Sequence, residues 1–132
     1  MIATTPDQAA AVLEFAAPMH GLSPYTAFRL QNVAGVAGLF TLRAVDADVR
    51  LFLLDAESVD PAYAPRIPAG ARAELGAVDG DPLRMLVIAN PSDNGVHVNL
   101  RAPIVVHADT GRALQVILED QDYPIRARLG GS

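Results

Sequence analysis

Apolar residues occur along the chain in short runs that recur about every ten residues, and clusters of Gly, Pro, Asp and Asn separate these runs. This pattern is typical of the many short strands of a β-sandwich or β-barrel. In Val96–Leu100 apolar and polar residues alternate, which is the period of a strand with one buried face. The predicted strands are Val12–Phe15, Ala27–Gln31, Leu39–Ala44, Val49–Asp55, Arg84–Ala89, Val96–Leu100, Ile104–Ala108, Leu114–Leu118 and Ile125–Leu129.

Two stretches, Leu51–Leu54 and Met85–Ala89, lack this alternation and are apolar on both faces. Such runs are typical of central strands that are covered on each side. In the second half of the chain, the apolar face of each alternating strand is expected to fill the interior of the fold. The residues expected to point inward are Val96, Val98, Leu114, Val116 and Leu118.

Turn residues support these strand limits. Asn94-Gly95 suits a hairpin loop with positive φ angles, and Asp109-Thr110-Gly111 predicts a short hairpin with its glycine in the left-handed region. Pro103 lies between two predicted strands. Because proline has no backbone N–H, we expect Pro103 at a bulge, a corner or a sheet edge.

One short helix is predicted. Ala69–Leu75 contains good helix formers, and Gly76 follows at the position where a helix commonly ends. The chain shows no linker and no internal repeat, so we expect a single domain over residues 1–132. The expected fold is mostly β: a small antiparallel β-barrel-like domain with one short helix.

Composition narrows the possible functions. Hydrophobic residues make up 51% of the chain, cysteine is absent, and all ten basic residues are arginine. Disulfides, cysteine-ligated metals and lysine-based catalysis are therefore excluded. The formal net charge of −5 argues against direct nucleic-acid binding and suits basic partners. The first fifteen residues lack the basic region of a signal peptide, and no apolar run is long enough to span a membrane, so we expect a cytoplasmic protein without membrane contact.

Candidate catalytic and metal-binding residues are few. The histidines are His20, His97 and His107, and the last two are expected on the polar faces of strands that could be neighbours. No third histidine or carboxylate stands at a ligand-like spacing, so we expect no metal site. Nucleophile-elbow and glycine-rich phosphate motifs are also absent, which predicts neither an enzyme nor a cofactor. A hydrolase that uses His97 or His107 is a remote alternative.

The candidate partner-binding residues lie between Val96 and Tyr123. Amide and tyrosine side chains are suited to interfaces because they combine hydrogen bonding with contact area, although Asn99 could equally hold a turn and Tyr123 could equally fill the barrel. The residues alone indicate a small acidic β protein that acts as a binding module. The candidates are Asn99, Arg101, Gln115 and Tyr123, together with the acidic residues Glu119, Asp120 and Asp122 of an expected solvated turn.

The same region, VHVNLRAPIVVHADTGRALQVILEDQDYPIRARL, resembles the C-terminal half of the FliW family of flagellar assembly factors. That family carries approximately T-x-N-L-x-A-P-I-x-I-N, then a hairpin, then Q-x-V-L-x-D-x-x-Y-x-x-R and an apolar residue. The order and spacing agree over about thirty-five residues. The matching positions are Asn99, Leu100, Ala102, Pro103 and Ile104 in the first part, and Gln115, Leu118, Tyr123, Arg126 and Leu129 in the second.

The first half of the chain resembles the family more loosely. Phe15–Leu22 is similar to F-x-x-P-[IL]-P-G-[FL], with His20 where a second proline is usual. Leu42–Ala44 stands where the family commonly has L-Q-S, so Arg43 replaces a glutamine. Tyr63 resembles the tyrosine of a D-Y-x-P segment.

This resemblance implies a small antiparallel barrel-like fold without enzymatic activity. It further implies two partners, flagellin and the RNA-binding translational repressor CsrA, whose exchange couples flagellin translation to secretion. The alternative is a small-ligand-binding β-barrel, which needs an internal cavity with a few convergent polar groups. The apolar residues expected to point inward argue against that alternative.

Overall fold

The computed structural model describes residues 11–19, 21–36, 38–59, 62–78, 80–92, 95–119 and 121–128. Strands dominate these ranges, and two short helices accompany them. The elements are β1 (Ala11–Phe15), β2 (Ala27–Asn32), β3 (Leu39–Ala44), β4 (Arg50–Asp55), α1 (Ala56–Val59), α2 (Ala69–Glu74), β5 (Leu83–Ser92), β6 (Gly95–Val98), β7 (Ile104–His107), β8 (Arg112–Gln115) and β9 (Ala127–Arg128).

Seven of these strands close into a β-barrel. The sheet runs in the order β4-β3-β2-β1-β8-β7-β5, and β4 pairs with β5 to complete the ring. β6 and β9 lie outside the ring as an extension of β5. A closed ring leaves no long unpaired edge among its own strands.

This architecture confirms the predicted mostly β, barrel-like fold, and the structure adds that one pair of neighbouring strands in the ring is parallel. β1 and β8 are parallel, with Glu14 opposite Arg112 and Phe15 opposite Ala113. All other pairs are antiparallel. Strands that alternate in direction can close a ring only if their number is even, so a ring of seven must contain one parallel pair.

Several predicted boundaries shift. β5 continues through Asn90 and Pro91, which were expected in a loop, and pairs there with β6. The strands expected over 96–118 do not all pair in sequence, because β6 and β7 both pair with β5. Asn94 and Leu129 lie outside the described residues.

One of the two helices agrees with the prediction, and the other was not predicted. α2 ends as predicted, because Gly76 follows the C-cap residue Leu75 with a φ of 69°. α1 was not predicted, since four residues are too few to show a helical period. Ala56 of α1 is buried against the outer side of the sheet.

The barrel interior is filled by apolar side chains. Ala113 of β8 has no exposed surface and belongs to this interior cluster, whereas the neighbouring Leu114 packs outside the barrel. The residues expected to point inward therefore pack in clusters outside the barrel, and a different set fills its interior. The interior residues are Leu13, Phe15, Met19, Phe28, Leu30, Leu42, Ala44, Leu53, Leu86, Ile104, Val106 and Ala113.

Parts of the outer face are also covered. α2 lies over β7 and β8, where Leu75 packs with Val105 and Leu114. Tyr63 and Ala56 pack against Val87 of β5. β4 and β5 are thus covered on both sides, as predicted for strands that are apolar on both faces. The covered outer face also explains why the wrong residues were expected inside the barrel. In the sequence, a side chain buried under a helix shows the same apolar pattern as one inside the barrel.

We predict that Ala113→Leu destabilises the protein by about 1–3 kcal/mol, because the filled interior has no space for three further carbon atoms. Urea unfolding measures the change. The matched control is Ala73→Leu, at an exposed position of α2. If Ala113→Leu were as stable as the control, the barrel would contain the cavity that a small-ligand carrier needs.

Candidate functional site

The candidate residues surround a corner of the chain between β6 and β7. Asn99 is half-buried, and its Oδ1 accepts hydrogen bonds from the backbone N–H groups of Arg101 at 3.0 Å and Ala102 at 3.1 Å. The amide thus closes a tight turn, which is a common role for asparagine. Pro103 follows, fully buried, immediately before β7, and the prediction that it marks a corner is confirmed.

The segment after β8 is fastened to this corner. The backbone N–H groups of Val116 and Leu118 donate to the carbonyl oxygens of Pro103 and Arg101, at 2.9 and 2.8 Å. Arg101 also donates from Nε to the carbonyl of Tyr123 at 2.8 Å. The corner and the segment therefore form one surface of the protein.

Tyr123 packs against Tyr63 at this surface. The two rings lie edge to face, with centroids 5.0 Å apart and an interplanar angle of 76°. The Tyr63 hydroxyl donates to the carbonyl of Leu100 at 2.6 Å. Burial, and secondarily the neighbouring Tyr123, raise the pKa of Tyr63, so that its hydroxyl remains a donor at neutral pH. Tyr123 itself is half-buried.

The acidic turn, defined as residues 119–122, precedes Tyr123 in the chain. Glu119 and Asp122 are both exposed, and Asp120 lies outside the described residues. The Asp122 Oδ1 stands 3.9 Å from Nη2 of Arg101. This pair is solvent-exposed, so it adds little to stability and leaves the carboxylate accessible to a partner.

Gln121 is a residue of this surface that sequence reasoning missed. Its Oε1 accepts from the backbone N–H of Arg66 at 2.9 Å, and its Nε2 donates to the Arg66 carbonyl at 2.9 Å. One side chain thus ties the acidic turn to the loop before α2. The partners are 55 positions apart, so no local pattern could have indicated the contact.

Gln115, the remaining candidate, lies at the end of β8. It is half-buried, stands opposite Ile104 in the β7–β8 register, and already has an interaction within the protein. The candidate residues that lie closest together in the structure are therefore Asn99, Arg101, Asp122 and Tyr123. Gln115 lies on the barrel wall next to them.

The histidines do not come together. His97 lies on β6 opposite Asn90, and His107 lies on β7, which pairs with a different part of β5. His20 is outside the described residues. In the ranges that the structure describes, no three His, Asp or Glu side chains form a group that could hold a metal ion.

His107 corrects one expectation, because it is only 4% exposed rather than on an open polar face. Every residue of β7 is buried, so its polar residue is enclosed as well. Nδ1 accepts from the Asp109 N–H at 3.2 Å, and Nε2 donates to Asp81 Oδ2 at 3.0 Å. The Val78 N–H, followed by His107, lowers the pKa of Asp81 below its ordinary value. These contacts satisfy both ring nitrogens and give His107 a structural role.

A depression of about 320 Å³ lies outside the barrel beside α1. Its position differs from the internal cavity that a small-ligand carrier requires, and the side chains of the interior cluster are all apolar, without the convergent polar groups of such a site. The residues around it are Asp55, Ala56, Glu57, Tyr63, Leu83, Arg84 and Met85. No helix within the described ranges combines the length and apolar character needed to cross a membrane.

Comparison with known proteins gives a consistent result. The family model described as FliW protein matches residues 2–129. The flagellar assembly factor FliW of Symbiobacterium thermophilum is 30% identical over 122 residues, which cover 89% of this chain and 88% of that protein. The flagellar assembly factor FliW of Thermotoga neapolitana is 34% identical over 84 residues, which cover 61% of this chain.

The chain spans little more than half the length of some relatives, such as 56% of the Thermotoga neapolitana protein and 52% of the Syntrophus aciditrophicus one. A solved crystal structure of the flagellar assembly factor FliW superposes with a TM-score of 0.83. That match covers 98% of this chain and 91% of the solved chain at 21% sequence identity, and so shows a shared fold.

We predict that Asn99→Ala lowers the free energy of unfolding by about 1–3 kcal/mol, because two backbone N–H groups at the corner lose their acceptor. Asn99→Asp retains Oδ1 and is expected to keep most of the stability. Urea unfolding of the two variants makes the comparison. Equal stability of Asn99→Ala and the wild type would show that the amide does not hold the corner.

Proposed function

Because the chain belongs to the FliW family, we propose that it binds flagellin and the RNA-binding repressor CsrA, and that exchange between these partners couples flagellin translation to flagellin export. The observation that carries the proposal is the family match across residues 2–129. FliW family assembly factors are non-enzymatic, so the protein acts by binding. Its proposed place of action is the cytoplasm, where flagellin is translated.

In this scheme the protein holds CsrA while flagellin is being exported. When flagellin accumulates, it occupies the protein, CsrA is released, and flagellin translation falls. The scheme needs surfaces of different chemistry, because CsrA is a basic RNA-binding dimer and the bound part of flagellin is taken to be an apolar helix-like segment.

The acidic turn supports the CsrA half of the proposal. Glu119 and Asp122 are exposed at a surface that the corner hydrogen bonds hold in place. Exposed carboxylates raise the association rate with a basic partner and disfavour RNA nearby. We propose that Glu119, Asp120 and Asp122 steer CsrA, with Arg101 orienting the turn.

Tyr123 supports the flagellin half. Its ring packs against that of Tyr63, which holds it in place, and the residue is only half-buried, so that part of it is accessible to a partner. A rigid aromatic ring binds an apolar helical segment with little loss of side-chain entropy. Asn99 and Gln115 are proposed to position the surface around this ring.

We predict that the triple variant Glu119→Gln, Asp120→Asn, Asp122→Asn associates with CsrA about tenfold more slowly at low salt and loses most of its salt dependence. Its melting temperature is expected to stay close to that of the wild type, because exposed charges contribute little to stability. Stopped-flow mixing at two salt concentrations measures the rates.

A matched control is the triple variant Asp46→Asn, Asp48→Asn, Glu74→Gln, which removes the same charge from other exposed positions. It should associate at nearly the wild-type rate. If both triple variants slow association equally, net charge alone steers CsrA. If neither does, the acidic turn does not belong to the CsrA surface.

Flagellin binding is expected to depend on apolar contact rather than on charge. We therefore predict that Tyr123→Ala weakens flagellin binding by about tenfold or more, since the aromatic anchor is lost. Tyr123→Phe keeps the ring and should keep the affinity. Val36→Ala changes an exposed apolar residue between β2 and β3 and serves as the control. Titration calorimetry with purified flagellin, at a temperature where circular dichroism shows each variant folded, measures the affinities. Unchanged binding by Tyr123→Ala would place flagellin elsewhere.

A further inference from the structure

Three arginines stand side by side on the outer face of the barrel. Arg29 of β2 is directly opposite Arg43 of β3, and Arg43 is directly opposite Arg50 of β4. All three side chains are exposed. We call this set the arginine row. It is a concentrated positive surface on a chain whose formal net charge is −5.

Within the ranges that the structure describes, these three charges form no ion pair. Among the described residues, no carboxylate lies within 4.0 Å of any of the three guanidinium groups. Asp46 and Asp48 are close in sequence, in the turn after β3, yet both are exposed and unpaired with the row. Like charges directly opposite each other on neighbouring strands destabilise a sheet. The repulsion within the row therefore costs stability, and no ion pair with a described carboxylate offsets this cost.

The surroundings of the row are those of an interface. The Arg50 guanidinium lies 5.3 Å from the centroid of the Phe52 ring, which holds it against the sheet. At the other end, Val12 stands opposite Arg29 and is 57% exposed. Arginine and exposed apolar groups together are typical of protein-binding surfaces.

The spacing of the row defines the shape of its partner. Neighbouring strands are about 4.8 Å apart, so the three arginines span about 10 Å across the sheet. Acidic residues one helical turn apart lie about 5–6 Å from each other, whereas residues on one face of an extended strand lie nearly 7 Å apart. An acidic helix that crosses β2, β3 and β4 therefore fits the row better than an extended peptide does.

We propose that the arginine row binds an acidic helical segment of a partner protein, with its carboxylates spaced by single helical turns. Planar guanidinium groups bind carboxylates in pairs of hydrogen bonds. Neighbouring arginines in the row are closer to each other than the Debye length of about 8 Å at physiological salt, so the central Arg43 acts together with each of the other two. The exposed apolar Val12 beside the row favours a protein segment over a nucleic acid as the occupant. This site is independent of the acidic turn and of the partners proposed above.

The test uses two fluorescent Ala-rich helical peptides of identical composition. In the first, glutamates at positions i, i+4 and i+7 form one stripe; in the second, they are distributed around the helix. Fluorescence anisotropy with the wild-type chain should show about tenfold tighter binding of the striped peptide. Arg43→Gln removes the central charge and should abolish most of this preference. Arg66→Gln removes an equally exposed arginine outside the row and should change binding by less than about twofold.

A stability measurement separates binding from a structural role. Removing Arg43 relieves repulsion with both neighbours, so Arg43→Gln should raise the melting temperature by about 1–4 °C at low salt, with a smaller increase at high salt. Loss of binding combined with a gain in stability is the result expected for a surface kept for a partner. A lower melting temperature would show that Arg43 supports the fold instead.

Other outcomes would overturn the proposal. If the two peptides bound equally well, general charge attraction without a defined site would explain the binding. The same conclusion would follow if Arg43→Gln and Arg66→Gln lost the same amount of affinity for the striped peptide. If a duplex DNA of arbitrary sequence displaced the striped peptide at lower concentration than the unlabelled peptide does, the occupant would be a nucleic acid. If the wild type self-associated in light scattering and Arg43→Gln did not, the occupant would be the acidic surface of a second copy.

Discussion

Closure of a seven-strand ring is the constraint on which the rest of the structure depends. The long strand β5 makes closure possible, because it pairs with β7 at its start, with β4 through Leu86–Ala89, and with β6 at its end. The odd number of strands then requires the parallel contact between β1 and β8. Both β6 and β7 lie beside β5, so the chain between them must turn sharply while it stays against the sheet.

The proposed binding surface follows from that requirement. The turn between β6 and β7 contains a buried proline, and the side-chain amide of Asn99 accepts hydrogen bonds from two backbone N–H groups of this turn. Beyond β8 the chain leaves the ring, and its backbone continues to pair with the corner through Leu118. The barrel thus supplies a rigid base, and Glu119, Asp122 and Pro124 are exposed residues of the segment placed on it.

The sequence predicted the features that depend on neighbouring residues. β2, β3 and β4 lie within one residue of their expected limits, and Pro103 and Gly76 have the expected positions, because alternation and turn chemistry are local properties. Local patterns could not predict three other features: the parallel pair, the burial of His107 and the identity of the interior residues. Each of these depends on which strands are neighbours in the fold. At the candidate site, the sequence singled out Asn99 and Tyr123, but their contacts with distant backbone and with Tyr63 required the fold.

The attachment of the acidic turn has a consequence for local unfolding. Residues 119–122 are joined to the loop before α2 by the side chain of Gln121, not by a strand ladder. A segment held by side-chain contacts opens at a lower free energy than the barrel and does so without global unfolding. The Arg66 amide donates its proton to Gln121, so its hydrogen-exchange rate reports the open fraction of the turn. Slow hydrogen exchange of the Arg66 amide is thus an intrinsic probe of whether the acidic turn is attached to the rest of the protein.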